Sequence, residues 1–310
     1  PEGYRFGFIG SSDNHQSRPG TGYKEVFRYL NSDSKYSSKN NFLLSMGPKK
    51  EPQLPSTKKI DLRKFKDQIS IPIKVERISS FIYTGGLVAA HSKGRNRQAL
   101  WDSMDSREVY ATSGDRILLW FDLINHNSGV IQPMGSEVDL ENNPIFRVKA
   151  IGAQIQKPGC DLNTNAKVSE VISQLCKGEC FNPSDLRKII TSIEIVRIRP
   201  QSYSGEPIDP LIEDPWKTFD CEPSQEGCVV EFEDEQFLGS NREIVYYARA
   251  IQEPSQAING SGLSCDMDEN GSCSSVNLCG HEKGQEEGDC LGELKERAWS
   301  SPIFVKVPKD

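Results

Sequence analysis

Ile244-Val245-Tyr246-Tyr247-Ala248-Arg249-Ala250-Ile251 is the stretch on which the fold of this chain turns. β-Branched and aromatic residues dominate it, as they do where side chains pack on a pleated, half-buried surface. It is the clearest of a series. Strand-like runs recur at residues 117–123, 145–150, 189–198, 229–232, 244–251 and 303–307, separated by spacers rich in Gly, Pro, Asn and Asp. Short strands punctuated by turn residues predict a β-sandwich-like domain over residues 122–310. Within it only residues 167–176 and 183–187 suggest helix, and no internal repeat is visible.

Toward the N-terminus the pattern differs. Tyr4-Arg5-Phe6-Gly7-Phe8-Ile9-Gly10 is a short apolar run ended by Ser11-Ser12-Asp13-Asn14-His15. Such a run reads as a buried parallel strand emptying into a loop. A short helix is expected at residues 23–30, and the polar residues 31–75 read as a long surface insertion. Residues 78–83 and Leu87-Val88-Ala89-Ala90 are apolar. A helix is expected over residues 95–106, with Ala99, Leu100, Trp101 and Met104 on its apolar side. Val109-Tyr110-Ala111-Thr112 follows as a strand closed by the turn Ser113-Gly114-Asp115. Strand, helix and strand in this order is α/β material. The expected whole is α/β plus β, with domains at residues 1–121 and 122–310.

The chain has 310 residues, 36% of them hydrophobic, with a net charge of -7. Its mean hydropathy is -0.55. The length permits two domains and a sizeable core. The acidic balance argues against nucleic acid as the main partner, because phosphate binding needs a clustered basic face. Lys49-Lys50, Lys58-Lys59 and Arg63-Lys64 form a basic stretch among Pro and Ser, read as a solvated loop. No apolar run reaches the length of a membrane span. The opening Pro1-Glu2-Gly3 reads as the interior of a longer protein, so the lack of a secretory signal leaves export open.

Nine cysteines bear on the compartment. Cys176, Cys180, Cys221, Cys228, Cys265, Cys273, Cys279 and Cys290 crowd a loop-rich half, with Cys160 upstream. This density suggests disulfides and an oxidising compartment, periplasmic or secreted. Cys221–Cys228 and Cys279–Cys290 are the first expected pairs, with Cys265–Cys273 next. Zinc ligation by Cys265, Cys273, Cys279, His281 and Cys290 is the rival reading, but no CxxC pair is present and the spacing fits no common zinc motif.

Asp13 and His15 stand two apart just past the run of residues 4–10. A carboxylate and an imidazole there suit Zn, Mn or Fe. On spacing alone an Asp-x-His in a loop is more often an Asx turn beside a surface histidine. Asp266-Met267-Asp268-Glu269-Asn270-Gly271 matches the first half of an EF-hand-type loop, which makes Asp266, Asp268 and Asn270 candidate calcium ligands. The twelfth position is Asn277 rather than Glu, so an acidic turn is the competing reading. Asn259-Gly260-Ser261 and Asn270-Gly271-Ser272 are glycosylation sequons.

Phe8-Ile9-Gly10-Ser11-Ser12-Asp13-Asn14-His15, with Arg18-Pro19-Gly20-Thr21-Gly22-Tyr23-Lys24, resembles a family of largely uncharacterised bacterial proteins related to the PHP (polymerase and histidinol phosphatase) metallohydrolases. Gly85-Gly86-Leu87, residues 97–104 and residues 107–117 look like that family's closing barrel segment, and residues 297–303 like the lead into its last strand. The resemblance implies that residues 1–121 are the C-terminal part of a distorted (β/α) barrel. It also implies that Asp13 and His15 are its last metal-ligand pair, and that metal-activated water cleaves a phosphoester or similar ester in a small-molecule substrate. Arg18 and Lys24 would hold an anionic substrate group, or be solvated, and Arg116 would face the same pocket or cap the strand end. The family's opening His-x-His strand and middle ligands are missing, and His91, His126 and His281 do not supply them, so the N-terminal half of the barrel would be a missing partner. The alternative is an exported β-domain acting as a binding module with a non-catalytic barrel remnant.

Overall fold

The computed structural model describes residues 4–11, 56–61, 85–160, 170, 180–258, 264–280 and 291–308. Its strands, in chain order, are β1 (Ser56–Asp61), β2 (Leu87–Ala90), β3 (Val109–Thr112), β4 (Leu118–Leu123), β5 (Gln132–Pro133), β6 (Glu137–Asp139), β7 (Ile145–Ile151), β8 (Gln154–Pro158), β9 (Phe181–Arg187), β10 (Ile190–Ile198), β11 (Ile212–Asp220), β12 (Cys228–Glu233), β13 (Ile244–Ile258), β14 (Ser264–Met267), β15 (Cys273–Gly280), β16 (Leu291–Ser300) and β17 (Ile303–Lys306). Among the described residues α1 (Arg97–Asp105) and the single turn α2 (Phe237–Ser240) are α-helical, Asp209–Leu211 forms a 3-10 turn, and residue 170 is helical.

An eight-stranded sheet runs β11-β10-β13-β16-β3-β2, with β17 pairing β13 and β6 pairing β17. A four-stranded sheet runs β12-β7-β4-β5. Strand alternation explains why the two stack. In β4 and β7 every second residue is buried, and Leu119, Phe121, Leu123, Phe146, Val148 and Ala150 are all fully covered. Facing them from the larger sheet are Ile193, Ile195, Tyr246, Ala248, Ala250 and Ala298, in one core cluster. A period of two puts one apolar face of each sheet inward. Phe146 sits at the centre, its ring 5.2 Å from Phe121, 5.3 Å from Phe232 and 4.7 Å from Tyr246. This is a β-sandwich.

The β-rich half is as the sequence reading expects, but the described residues form no part of a (β/α) barrel. Strands β2 and β3, expected to close a (β/α) barrel, instead extend the large sheet antiparallel, β3 against β16 and β2 against β3. The parallel pairing among the described residues is β6 with β17. A βα barrel needs parallel strands joined by helical crossovers. The one helix between β2 and β3 joins antiparallel neighbours, so the α/β expectation is corrected to an essentially all-β architecture. The expected division at residues 121–122 falls inside β4.

Two local expectations also change. Residues 4–10 form no sheet ladder, and Tyr4 is 93% and Ile9 71% exposed. Residues 183–187, expected as helix, belong to β9, which pairs with β8 across Lys157 and Asn182. Pro183 cannot donate to a ladder but tolerates a strand in a two-stranded sheet. Helix α1 matches expectation and starts at Asn96, whose Oδ1 accepts from the Ala99 N–H at 2.9 Å. Its apolar residues Trp101 and Met104 are exposed, and Ser103 is the buried one. The expected helices at residues 23–30 and 167–176 lie outside the described residues, apart from residue 170.

Disulfides join Cys221 to Cys228 and Cys160 to Cys180, and Cys273 is also disulfide-bonded. The first was expected from its short separation; the second was not. No helix among the described residues is long and apolar enough to cross a membrane.

Candidate functional site

The outward face of the large sheet carries the residues that alternate with the core. Tyr247 follows the buried Tyr246 on β13, and Trp299 lies between the buried Ala298 and Ser300 on β16. Register places Trp299 opposite Arg249 on one side and Ala111 of β3 on the other. Residues 4–11 run over this face. Phe8 donates its backbone N–H to Ser301 Oγ at 3.0 Å and sets its ring edge-on to Tyr247, centroids 5.1 Å apart. Arg5 anchors the segment, with Nε 2.8 Å from Glu137 and Nη1 2.6 Å from Glu243 while the guanidinium lies over Phe304. Gly10 then passes so close to the β2–β3 pair that a Cβ would sit 2.7 Å from the Leu87 carbonyl oxygen. Gly86 is equally tight, with a Cβ 2.7 Å from the Ser11 nitrogen. Only glycine lets two backbones approach this closely.

Between this segment and the sheet lies an open groove of about 410 Å³, lined by Phe8, Ile9, Gly10, Ala111, Thr112, Tyr247 and Trp299. Three aromatic rings and few polar atoms make it a surface for a flat apolar group. Burial first, and the Asp214 carboxylate second, push the Tyr247 phenol above its ordinary value, so it stays protonated. Next to Trp299, Arg249 binds Asp214 and Glu194 and gives the groove a charged border.

A second feature lies inside the sandwich end. Asp115 accepts from Lys188 Nζ at 2.6 Å and from Gln252 Nε2 at 2.5 Å. Gln252 in turn accepts from the Ala153 N–H at 2.9 Å. Glu296, 1% exposed, accepts from the Ser113 hydroxyl. Burial pushes the Glu296 carboxyl up to about 7, with Asp115 adding to the shift and Ser113 and Lys188 opposing it. Asp115 and Glu296 line neither cavity, and their bonds tie the end of β3 and the start of β10 to the middle of β13 and β16, so their role is to hold these strands together.

The residues singled out by sequence fare differently. Asp13, His15, Arg18 and Lys24 lie outside the described residues. Arg116 is exposed and borders neither cavity. His91 donates Nε2–H to the Leu119 carbonyl at 2.8 Å and packs its ring on Tyr110 and Trp120, a structural histidine. Asp266 accepts from Ser275 Oγ at 2.8 Å, and Asp268 Oδ1 accepts the N–H groups of Asn270 and Ser272 at 2.9 Å each. These bonds build the β14–β15 turn, which is the Asx-turn use of such residues. Among the described residues no group of three or more His, Cys, Asp or Glu could hold a metal ion. The groove was missed by sequence reasoning because its residues come from four separated segments.

A family model described as "Protein of unknown function (DUF3604)" matches residues 2–151, a little under half of the chain. No curated protein and no solved structure matches. The finding corrects the expected kinship with the PHP metallohydrolases. The residues quoted for that resemblance between Phe8 and Ile117 fall inside the matched stretch, and what they are similar to is a family of unknown function.

Proposed function

We propose that this chain is an exported binding module, periplasmic or secreted, whose ligand-binding surface is the aromatic groove between residues 4–11 and the large sheet. The observation that carries it is the convergence of Phe8, Tyr247 and Trp299 on one open concavity. Their rings supply large apolar area at small conformational cost, and the protonated Tyr247 hydroxyl supplies a donor. The ligand is a small neutral molecule with a flat apolar face, as in a pyranose or an aromatic ring. The disulfides fit the oxidising compartment this requires.

Titration calorimetry against a panel of neutral oligosaccharides and aromatic amides tests the reading. Trp299→Ala is expected to weaken binding about tenfold or more, the loss typical of an aromatic anchor. Tyr247→Phe, which keeps the ring and removes the donor, should cost less. Binding that Trp299→Ala leaves unchanged would sink the proposal.

A second reading is metal-dependent ester hydrolysis, with Zn, Mn or Fe at Asp13 and His15 and further ligands from outside this chain. What favours it is that Ser11, fixed beside Gly86 at the groove, precedes Asp13 by two residues. Phosphoesterase activity of the protein, restored from the metal-free form by Zn or Mn, should fall at least about a hundredfold in Asp13→Asn. Equal activity in that variant removes the reading.

A further inference from the structure

At another edge of the sandwich the β10–β11 connection, residues 199–211, arches over α2 and the start of β13. Backbone bonds shape the arch: Arg199 N–H to the Leu211 carbonyl at 2.9 Å, and Glu206 N–H to the Tyr203 carbonyl at 3.3 Å. Under it is a cavity of about 380 Å³ lined by Arg199, Tyr203, Glu206, Pro207, Pro210, Leu211, Ser240 and Arg242. Two guanidinium groups thus meet an otherwise largely apolar wall. We propose that this cavity is a binding site for a small organic carboxylate, and that the Glu206 side chain occupies the carboxylate position when the site is free.

The bonds of Glu206 describe what a ligand would find. Its Oε1 accepts from both Nη1 and Nη2 of Arg242 at 3.2 Å, and its Oε2 accepts from the Ser202 backbone N–H at 2.7 Å. An acidic oxygen pair is therefore held by one guanidinium and one main-chain amide, a common way to recognise a carboxylate. The Arg242 bonds are long for charge-assisted ones, which usually lie near 2.7–2.9 Å. Glu206 belongs to the β10–β11 connection, outside the core cluster, so although its side chain is largely covered its departure leaves the sandwich packing intact.

Arg199 supplies the second observation. Its Nη2 donates to the Pro210 carbonyl at 2.7 Å and lies 3.4 Å from Glu213, but its Nε is buried and has no partner among the described residues. The Nε is covered and does not reach the cavity, so the accessible part of this guanidinium is what a ligand would meet. Glu213 is already shared with Arg197, at 2.6 Å, so Arg199 keeps part of its charge available. Pro207, Pro210, Leu211 and the Tyr203 ring would cover a short apolar body attached to the carboxylate.

The test is calorimetric titration of the full chain with sodium benzoate, with benzamide as the neutral isostere and inorganic phosphate as a competing anion. Glu206→Gln removes the internal competitor and should bind benzoate at least tenfold more tightly than the wild type, with benzamide silent. Adding Arg242→Gln to Glu206→Gln should abolish the gain, whereas adding Arg242→Lys should retain part of it. Thermal unfolding of each variant shows that the fold is intact. The proposal fails if folded Glu206→Gln does not bind benzoate at millimolar concentration, if benzamide binds equally well, if phosphate is preferred, or if Arg242→Gln leaves the affinity unchanged.

Discussion

Replacing Arg197 by alanine is expected to lower the unfolding free energy by about 3–5 kcal/mol, the usual cost of leaving one partner of a buried ion pair behind. Arg197 is 3% and Asp234 0% exposed. Nη1 of Arg197 bonds both carboxylate oxygens of Asp234 at 3.0 and 2.9 Å, Nε bonds Glu213 at 2.6 Å, and Nη2 bonds Glu213 and Gln236 at 2.9 and 3.0 Å. The guanidinium also lies 4.3 Å from the Trp216 ring centroid, and the Tyr246 hydroxyl donates to Asp234 at 2.6 Å. Burial alone would make the guanidinium easier to deprotonate, but the bonds to Glu213 and Asp234 outweigh it and raise its pKa. Burial and Asp234 together hold the Tyr246 phenol protonated at any ordinary pH.

Removing Arg197 strands the Asp234 charge between the sheets, and removing Asp234 strands the arginine. Equilibrium urea unfolding of Arg197→Ala, Asp234→Ala and the double variant measures the coupling. The double variant should lose much less than the two singles added. A single Arg197→Ala cost below about 1 kcal/mol would show that the network contributes specificity but little stability. Arg197→Lys should not rescue, because an ammonium cannot reproduce the planar fork that serves Asp234, Glu213 and Gln236 at once.

Raising the pH from about 4.5 to well above 7 is expected to destabilise the chain through Glu296. The sign follows from the direction of its shift. The folded state raises this carboxyl to about 7 from an ordinary value of 4.5, so the folded form holds the proton more tightly. Its stabilising contribution is complete below the unfolded pKa and is lost as pH climbs through the folded one. At 1.36 kcal/mol per pH unit the difference amounts to about 3 kcal/mol. Glu296→Gln stays neutral throughout and can still accept from Ser113. It should therefore be more stable than the wild type at pH 8 and match it near pH 4.5. Urea midpoints of the two proteins across that range give the answer, and parallel curves would show that Glu296 does not titrate there.

What the sequence revealed follows from how local each signal is. Residues 244–251 are rich in β-branched and aromatic side chains, most of them buried, so β13 was readable from a short window. Cys221 and Cys228 are seven apart and were paired by proximity alone. Cys160 and Cys180 are 20 apart, and the return of β9 against β8 that unites them is not written in either neighbourhood. Residues 4–10 misled because their aromatic residues look like a buried strand. Phe8 instead packs its ring on Tyr247, and Arg5 is fixed by Glu137 and Glu243, residues more than a hundred positions away. Helix α1 was correctly placed, but its apolar spacing said nothing of which side the sheet would take. The groove and the arginine cavity are products of tertiary assembly, each drawn from several loops and strands.

The placement of β16 and β17 sets the order in which the molecule can be made. Strand β16 lies between β13 and β3, and β17 lies between β13 and β6, so the large sheet cannot close without residues 291–306. Until those residues leave the ribosome, β2 and β3 have no neighbour on the β16 side, and the inner faces of β4 and β7 lack part of their cover. A sheet whose central pairings join residues 110–112 to residues 298–300 folds late and slowly, because the entropy of closing large loops is lost before any contact returns it. Its nascent form exposes open strand edges until residues 291–306 have emerged. Expression at lower temperature, or together with a holding chaperone, is thus expected to matter more to the yield of folded protein than any single surface substitution.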